Sequence, residues 1–369
     1  MANIIDYIKW RGDVAFTESP FNEVDALIFS ELSYVHFDDL VTGSLGAKGV
    51  PLSTLAEKFY SLHYDKSYTG AIIPVESILE LFKAAAGSAR FSTVTVKGFV
   101  NEIDLKAQKQ FCAMCFDITK DATVVAFRGT DDTIIGWKED INMAFFTPIP
   151  AQKQGAEYLS SVISRSNKSK YYVCGHSKGG NVATYAALKT PISLQKKIEG
   201  VYCFDGPGFM ESYCNTVKNS RMLQKTYKFM PEGTIIGAIF DSVENCSFVK
   251  STAKGLYQHD GFTWEVLGKE LVRAEKQSKS SLEFHNLLDN VVVNMTDKEK
   301  KDFSDALYTF FTVNESVTLT DIVSDKFKFL VGILKTDDKT KKTVFSTLNR
   351  FIKEKYFKKS AKTNKNKQQ

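Results

Sequence analysis

A mixed α/β fold with a mostly parallel central sheet is predicted by three features of the sequence. Strand-like and helix-like patterns alternate from about residue 110 to 265, the signature of strands joined by helical crossovers. Residues 171–186, YYVCGHSKGGNVATYA, read as an apolar strand, a sharp glycine turn and a helix. Thr130, Ser177, Asp205 and Glu232 each fall just after a strand-like run, the edge at which such sheets carry their ligands. The 369 residues, 43% hydrophobic and 25% charged, suffice for one large domain or two modest ones.

The chain opens with helical patterns: Val24, Leu27, Ile28, Leu32 and Val35 form one apolar stripe, and two further patterns cover residues 53–62 and 75–86. His36 and His63, within or beside them, read as structural histidines. From Arg90 the period changes to two, and TVTVKGFVNEID, QKQFCAMCFDIT and ATVVAFRGT read as three consecutive strands. GAEYLSSVISRS follows as a helix, with Tyr158, Leu159, Val162 and Ile163 on one face. After the strand–turn–helix at Ser177, GVYCFDGPGF and TYKFMPEG read as strands, with FVKST and TWEVL as late strands around His259. Beyond Glu270 the pattern is helical: Leu287, Leu288, Val291 and Val292 group together. Thr296 and Glu299 form a capping box before a helix holding Phe303, Leu307 and Phe311. Two more amphipathic helices follow, one with Ile322, Val323, Leu330 and Ile333, the other with Val344, Leu348 and Phe351. The organisation expected is a domain over residues 1–270, a helical extension over 271–352 and a basic disordered tail over 353–369; the extension could be a cap, a dimerisation arm or, as first choice, helices packed on the sheet.

Composition excludes several function classes. The net charge of +5 comes from the tail, where seven lysines stand against Glu354 between residues 353 and 367, so the remainder is near neutral. No nucleic-acid partner is expected, and contact with an anionic membrane surface would be weak and confined to that tail. Cys112 and Cys115 form a C-x-x-C inside a strand-like run with no second ligand pair, so neither a metal nor a cofactor is expected. The N-terminus has no secretory h-region, and no apolar run approaches the ~20 residues of a membrane span. A cytoplasmic protein with reduced thiols is the expectation.

The chemistry is read from the turn at Ser177. Gly175 and Gly179 frame it as G-x-S-x-G, which exposes a hydroxyl at the top of a strand and aims the N–H groups of a helix start at whatever it attacks. A hydroxyl needs a base. His176 adjoins the serine and points elsewhere, and His285 sits in a helical pattern. His259, in the loop GLYQHDGFTW, follows the candidate acids and supplies the chain order serine, acid, histidine. Asp205, before Gly206-Pro207-Gly208, is the first choice of acid, with Glu232 as the alternative; Asp241 and Asp260 are less well placed. The backbone N–H of Lys178 and the turn at Gly129 and Thr130 would receive an oxyanion. Arg128 reads as a structural charge.

Phe127–Thr130 (FRGT), Trp137 with Asp140 (W-x-x-D) and GHSKGG resemble the motifs of class 3 lipases in the α/β-hydrolase superfamily. WRGD near the start, SPFNEVDALIFSELSY, FDGPGF and QHD resemble a bacterial family of lipase-like proteins, and this likeness covers residues 1–270. The resemblance implies an α/β-hydrolase fold and a lid over residues 131–140, whose Ile134, Ile135 and Trp137 would cover an apolar acyl site. It departs from the pattern at Lys178, where such lipases usually carry Leu, and at Glu232, where they carry Asp. The function expected is a serine hydrolase cleaving a small acyl ester or lipid through an acyl-enzyme. An acyltransferase or thioesterase on the same residues, or a non-catalytic lipid-binding scaffold, are the alternatives.

Overall fold

The computed structural model describes residues 1–62, 73–131, 134–143, 145–312 and a few positions between 338 and 349. His63, the helical patterns around Ile322 and Leu348 and the basic tail lie outside the described residues.

Four helices, α1 (Ile4–Arg11), α2 (Glu23–Leu32), α3 (Leu52–Ser61) and α4 (Val75–Ala86), precede the sheet, with the two-residue β1 (Val50–Pro51) between the second and third. Asn3 and Asn22 cap α1 and α2 through reciprocal hydrogen bonds with Asp6 and Asp25, so both helices start where the sequence supplies a side-chain acceptor. β2 (Thr95–Asp104), β3 (Lys109–Asp117) and β4 (Ala122–Phe127) form an antiparallel meander. The chain then alternates through α5 (Ile134–Met143), α6 (Pro150–Ser164), β5 (Lys170–His176), α7 (Lys178–Lys189), α8 (Ile192–Gln195), β6 (Ile198–Phe204), α9 (Glu211–Val217), β7 (Thr226–Pro231) and β8 (Asn245–Val249). Strands β1 to β8 lie in sequence order in one sheet, antiparallel up to β4 and parallel from β4 to β8. This is a mixed α/β architecture, an eight-stranded and mostly parallel sheet flanked by helices.

Alternation along the strands feeds two cores. Cys112, Met114, Phe116, Val124 and Ala126 face the N-terminal helices, where Leu27, Phe29 and Phe82 are buried. Their neighbours Ala113, Cys115, Val125 and Phe127 face α6 and α7. The sheet is therefore covered on both sides, as its near-continuous apolar runs require.

Two expectations change. The late strands shrink: β8 ends at Val249, and TWEVL contributes only β9 (Val266–Leu267), paired with β10 (Glu270–Leu271). Gly261, Gly268 and the two short 3-10 turns around His259 break the run, so backbone groups there bond locally. The C-terminal helices α10 (Lys279–Val293) and α11 (Asp297–Thr312) do not pack on the sheet. Val291, Val292, Met295 and Phe303 bury themselves against Phe145 and Phe240, because helices already occupy both sheet faces.

Candidate active site

Strand register gathers the candidate residues. Phe127 on β4 pairs with Gly175 on β5, His176 with Phe204 on β6, and Phe204 with Phe229 on β7. The residues that follow, Gly129-Thr130, Ser177 and Asp205, therefore leave the sheet along one edge. Glu232 lies just past the end of β7: Asp205 follows Phe204 at the level of Met230, two residues before it.

Ser177 adopts φ 57° and ψ −133° between β5 and α7, a backbone state that costs a non-glycine residue about 1–3 kcal/mol. Packing enforces it. A Cβ at Gly179 would stand 2.1 Å from the Phe127 carbonyl oxygen, so only glycine lets α7 start this close to β4. The start of α7 is tied to the next strand too, since Asn181 donates to the carbonyls of Pro207 (3.0 Å) and Gly208 (3.1 Å) and accepts from Gln152 (2.7 Å).

His259 ends a 3-10 turn, Gly255–His259, and is buried. Its Nδ1 donates to Asp205 Oδ2 at 2.7 Å, and Asp205 Oδ1 accepts from the Thr234 hydroxyl at 2.6 Å. Asp205 is fully buried. The side chain of Glu232 is exposed, while its backbone N–H and carbonyl are bonded to Val249 and Ser278. Of the two acids proposed from sequence, the structure brings Asp205 to the histidine and leaves Glu232 at the surface. With Nδ1 committed to a carboxylate, Nε2 is the nitrogen through which His259 can exchange a proton.

His176 supports this arrangement from below. Burial drives its pKa well below the ordinary value, with the charge of His259 adding to the effect, so the ring is neutral and carries one proton. Its Nε2 lies 2.7 Å from the carbonyl oxygen of His259, an acceptor, which places the proton there. Nδ1 then accepts from the Tyr34 hydroxyl at 3.1 Å. The Tyr34 oxygen in turn receives the N–H of Gly129, and a Cβ at Gly129 would fall 2.1 Å from it. One line of hydrogen bonds thus joins the Gly129–Thr130 turn to the His259 loop. Tyr34 belongs to an N-terminal segment that reads in the sequence as an apolar helical stripe, and nothing in that pattern marks its hydroxyl.

Thr130 donates its hydroxyl to both oxygens of Asp140, at 2.8 and 2.6 Å. Burial raises the Asp140 pKa to about 6, against the lowering pull of Lys178. Above that pH the hydroxyl proton of Thr130 is held by a carboxylate, and its backbone N–H is what remains to meet a substrate. Lys178 is the unusual residue of the turn. Its ammonium leaves the site and ends between Glu139 Oε2 (3.0 Å) and the carbonyl (2.9 Å) and side-chain oxygens of Gln110. Glu139 also accepts from the N–H groups of Gln110 and Ala151, so every ammonium proton and both carboxylate oxygens are engaged. Arg128 donates to Asn101 and is buried, in keeping with a structural charge.

Ser177, His259, Thr130 and Lys178 line one cavity of about 290 Å³, whose other walls are mostly apolar, with Tyr34, Asp140 and His176 as the polar exceptions. Helix α5 contributes Asp140, Ile141 and Met143 to it, and Ile135 is buried. Residues 132 and 133 and the side chains of Ile134 and Trp137 lie outside the described residues.

Glu31, on α2, sits behind the site, 3.9 Å from His176 Nδ1, fully buried and with no hydrogen-bond partner on either oxygen. Burial raises its pKa well above 4.5, and the nearby Asp260 raises it further. The folded chain therefore holds a proton here that the unfolded chain releases, so this carboxyl contributes stability at low pH that is lost as pH rises above 4.5. Glu31→Gln is expected to remove that loss: its stability relative to wild type should grow by about 1.4 kcal/mol per pH unit until the folded carboxyl itself titrates. Urea denaturation from pH 5 to 8 reads the effect, and a constant offset between the two curves would show that Glu31 does not titrate in this way.

A family model described as Mbeg1-like matches residues 85–309, a span that runs from the end of α4 into α11. Comparison with curated proteins found no match. Among solved structures, a mutant of MDLA from Penicillium cyclopium aligns at 12% identity and a TM-score of 0.40, over 70% of this chain and 87% of its own. The M37 lipase aligns at 15% and 0.36, over 60% and 70% of the two chains. A triacylglycerol lipase from Penicillium expansum aligns at 13% and 0.34, over 52% and 78%. Among the described residues no helix is long and apolar enough to cross a membrane.

Proposed function

The chain belongs to the Mbeg1-like family, and we propose that it is a serine hydrolase that cleaves carboxylic esters through an acyl-enzyme on Ser177. One observation carries this reading: a serine held in a left-handed elbow shares an apolar cavity with a histidine whose Nδ1 is bound by a buried aspartate. Ser177 Oγ attacks the ester carbonyl carbon while His259 Nε2 takes the hydroxyl proton. The carbonyl oxygen becomes an oxyanion facing the N–H groups of Lys178 and Thr130, each such donor supplying about 3 kcal/mol. As the tetrahedral intermediate collapses, the C–O bond breaks and the imidazolium gives its proton to the departing alkoxide. Water, deprotonated by the same nitrogen, then attacks the acyl-serine, and proton return to Ser177 Oγ frees the acid.

Asp205 keeps the His259 proton on Nδ1 and balances the imidazolium, and Thr234 keeps Asp205 in place. The buried Lys178–Glu139 pair leaves the cavity with apolar walls around the nucleophile, which favours an acyl group over a charged ligand. A fluorophosphonate probe tests the reading. The intact protein is expected to form one covalent adduct, mapped by mass spectrometry to Ser177 and lost in Ser177→Ala. An unlabelled wild-type protein, or an adduct on another serine, would remove the basis of the assignment.

A further inference from the structure

The cavity beside Ser177 is small, about 290 Å³, near the low end of the ~300–1,000 Å³ of ordinary small-molecule sites. Two of its wall residues come from chain beyond the sheet, Leu288 on α10 and Phe303 on α11. Helix α10 is fastened along the loop that follows β7 at three points. Ser278 N–H donates to the Glu232 carbonyl (2.6 Å), the Ser281 hydroxyl to the Thr234 carbonyl, and His285 Nδ1 to the Ala238 carbonyl (2.9 Å). The same loop delivers Ile236 and Ile239 to the cavity, and its Thr234 hydroxyl holds Asp205.

Helix α11 is fastened to α5 instead. The buried Lys138 pairs with Asp305 at 2.6 Å, Ser304 donates to Asn142 at 2.7 Å, and the Phe303 ring meets Phe145 edge-on with centroids 6.1 Å apart. Both helices are therefore tied by polar contacts to neighbouring segments, while Leu288 and Phe303, which they present to the cavity, are apolar. The ammonium groups of Lys178 and Lys138 are each engaged by a carboxylate, so these walls offer surface for methylenes and no cation for an anionic group.

We infer that α10 and α11 are the acyl-selecting wall of the site, and that Leu288 and Phe303 set the length of the acyl chain that lies beside Ser177. The inference rests on the serine-hydrolase reading for the identity of the reacting group, but the wall itself is a matter of apolar burial. Each methylene transferred from water to such a wall is worth about fourfold in affinity or in kcat/KM. A chain that reaches Leu288 and Phe303 gains this factor repeatedly, and one that would pass beyond them gains nothing further. The C-terminal helices thus act as part of the binding site rather than as an appendage.

The test uses the full chain and two readouts. In the first, kcat/KM is measured for p-nitrophenyl acetate, butanoate, octanoate and dodecanoate, and the octanoate-to-acetate ratio is compared between proteins. Leu288→Trp, which fills the cavity, is expected to lower that ratio by about tenfold or more, and Phe303→Leu, which opens it, to move the preferred chain toward dodecanoate. Ratios within about twofold of wild type in both variants, in protein that still reacts with a fluorophosphonate, would overturn the inference while leaving the hydrolase reading intact. In the second readout, binding of neutral p-nitrophenyl octanoate to Ser177→Ala is measured by calorimetry, with and without Leu288→Trp. Weakening of about tenfold supports the wall even if no ester is turned over, whereas equal affinity, or no binding by Ser177→Ala, rejects it.

Discussion

Replacing Asp205 with Asn is expected to lower kcat on a short ester by about 10⁴-fold while leaving KM within a few-fold of wild type. The reason lies in which oxygen does what. Asp205 Oδ1 accepts from the Thr234 hydroxyl and Oδ2 from His259 Nδ1. Thr234 Oγ1 already accepts from the Gly237 N–H and donates to Asp205 Oδ1, so an asparagine that preserves this bond keeps its oxygen toward Thr234 and turns its amide N–H toward His259. Nδ1 must then accept, the ring proton moves to Nε2, and the nitrogen that should take the serine proton already carries one. Ser177→Ala removes the nucleophile itself and should cost about 10⁶-fold. Glu232→Gln, at an exposed side chain, is the comparison: a change of no more than about threefold is expected, as for a surface substitution remote from the chemistry. If Asp205→Asn kept more than about a tenth of the wild-type kcat, or Glu232→Gln lost as much as it did, Asp205 would not be the carboxylate that serves His259.

Lys178→Met is expected to destabilise the fold by about 3–5 kcal/mol, as expected on breaking a buried ion pair at one partner. Lys178 is 2% exposed and Glu139 0%. Taking away the ammonium leaves the Glu139 carboxylate in apolar surroundings with two backbone N–H donors and no counter-charge. Lys178→Met combined with Glu139→Gln should regain a large part of the loss, because a neutral amide then replaces the stranded charge. Urea denaturation of the two single variants and the double variant gives the coupling. A single-variant cost below about 1 kcal/mol would mean that water reaches the pair. The backbone N–H of Lys178 is untouched by these changes, so folded variants should keep their reaction with a fluorophosphonate.

How far the site could be read without the structure differed from residue to residue, for physical reasons. The turn at Ser177 is local: the glycines that permit it lie within three positions of the serine, so five consecutive letters describe the geometry. Asp205 and Glu232 could not be separated, because both end strand-like runs. What separates them is the register of β6 against β7, which puts Asp205 level with Met230 and Glu232 two residues too far along. Tyr34, Glu139 and Thr234 carried no signal as site residues. Each acts through a single atom on a partner far away in the chain, and each sits in a segment whose pattern is explained by packing or by a turn. Lys178 stood out as a departure, yet its meaning depended on where a long flexible side chain ends. That end is a buried carboxylate on α5, not the cavity beside Ser177.

The C-terminal helices mark the same limit. Their amphipathic faces were plain, but an apolar stripe does not say what it covers. Of the three readings open for them, packing on the sheet does not hold for α10 and α11, because the N-terminal helices and α6 and α7 had already taken both faces. By itself the sequence determined the fold class, the strand–turn–helix at Ser177 and the chain order of serine, carboxylates and histidine, since these depend on short-range periodicity and on backbone freedom at glycine. Only the tertiary structure decided that Asp205 meets His259, that the charge of Lys178 is buried away from Ser177, and that α10 and α11 wall the cavity. Those outcomes depend on strand register and on competition for buried surface between segments far apart in the chain, and neither is written in any local stretch of residues.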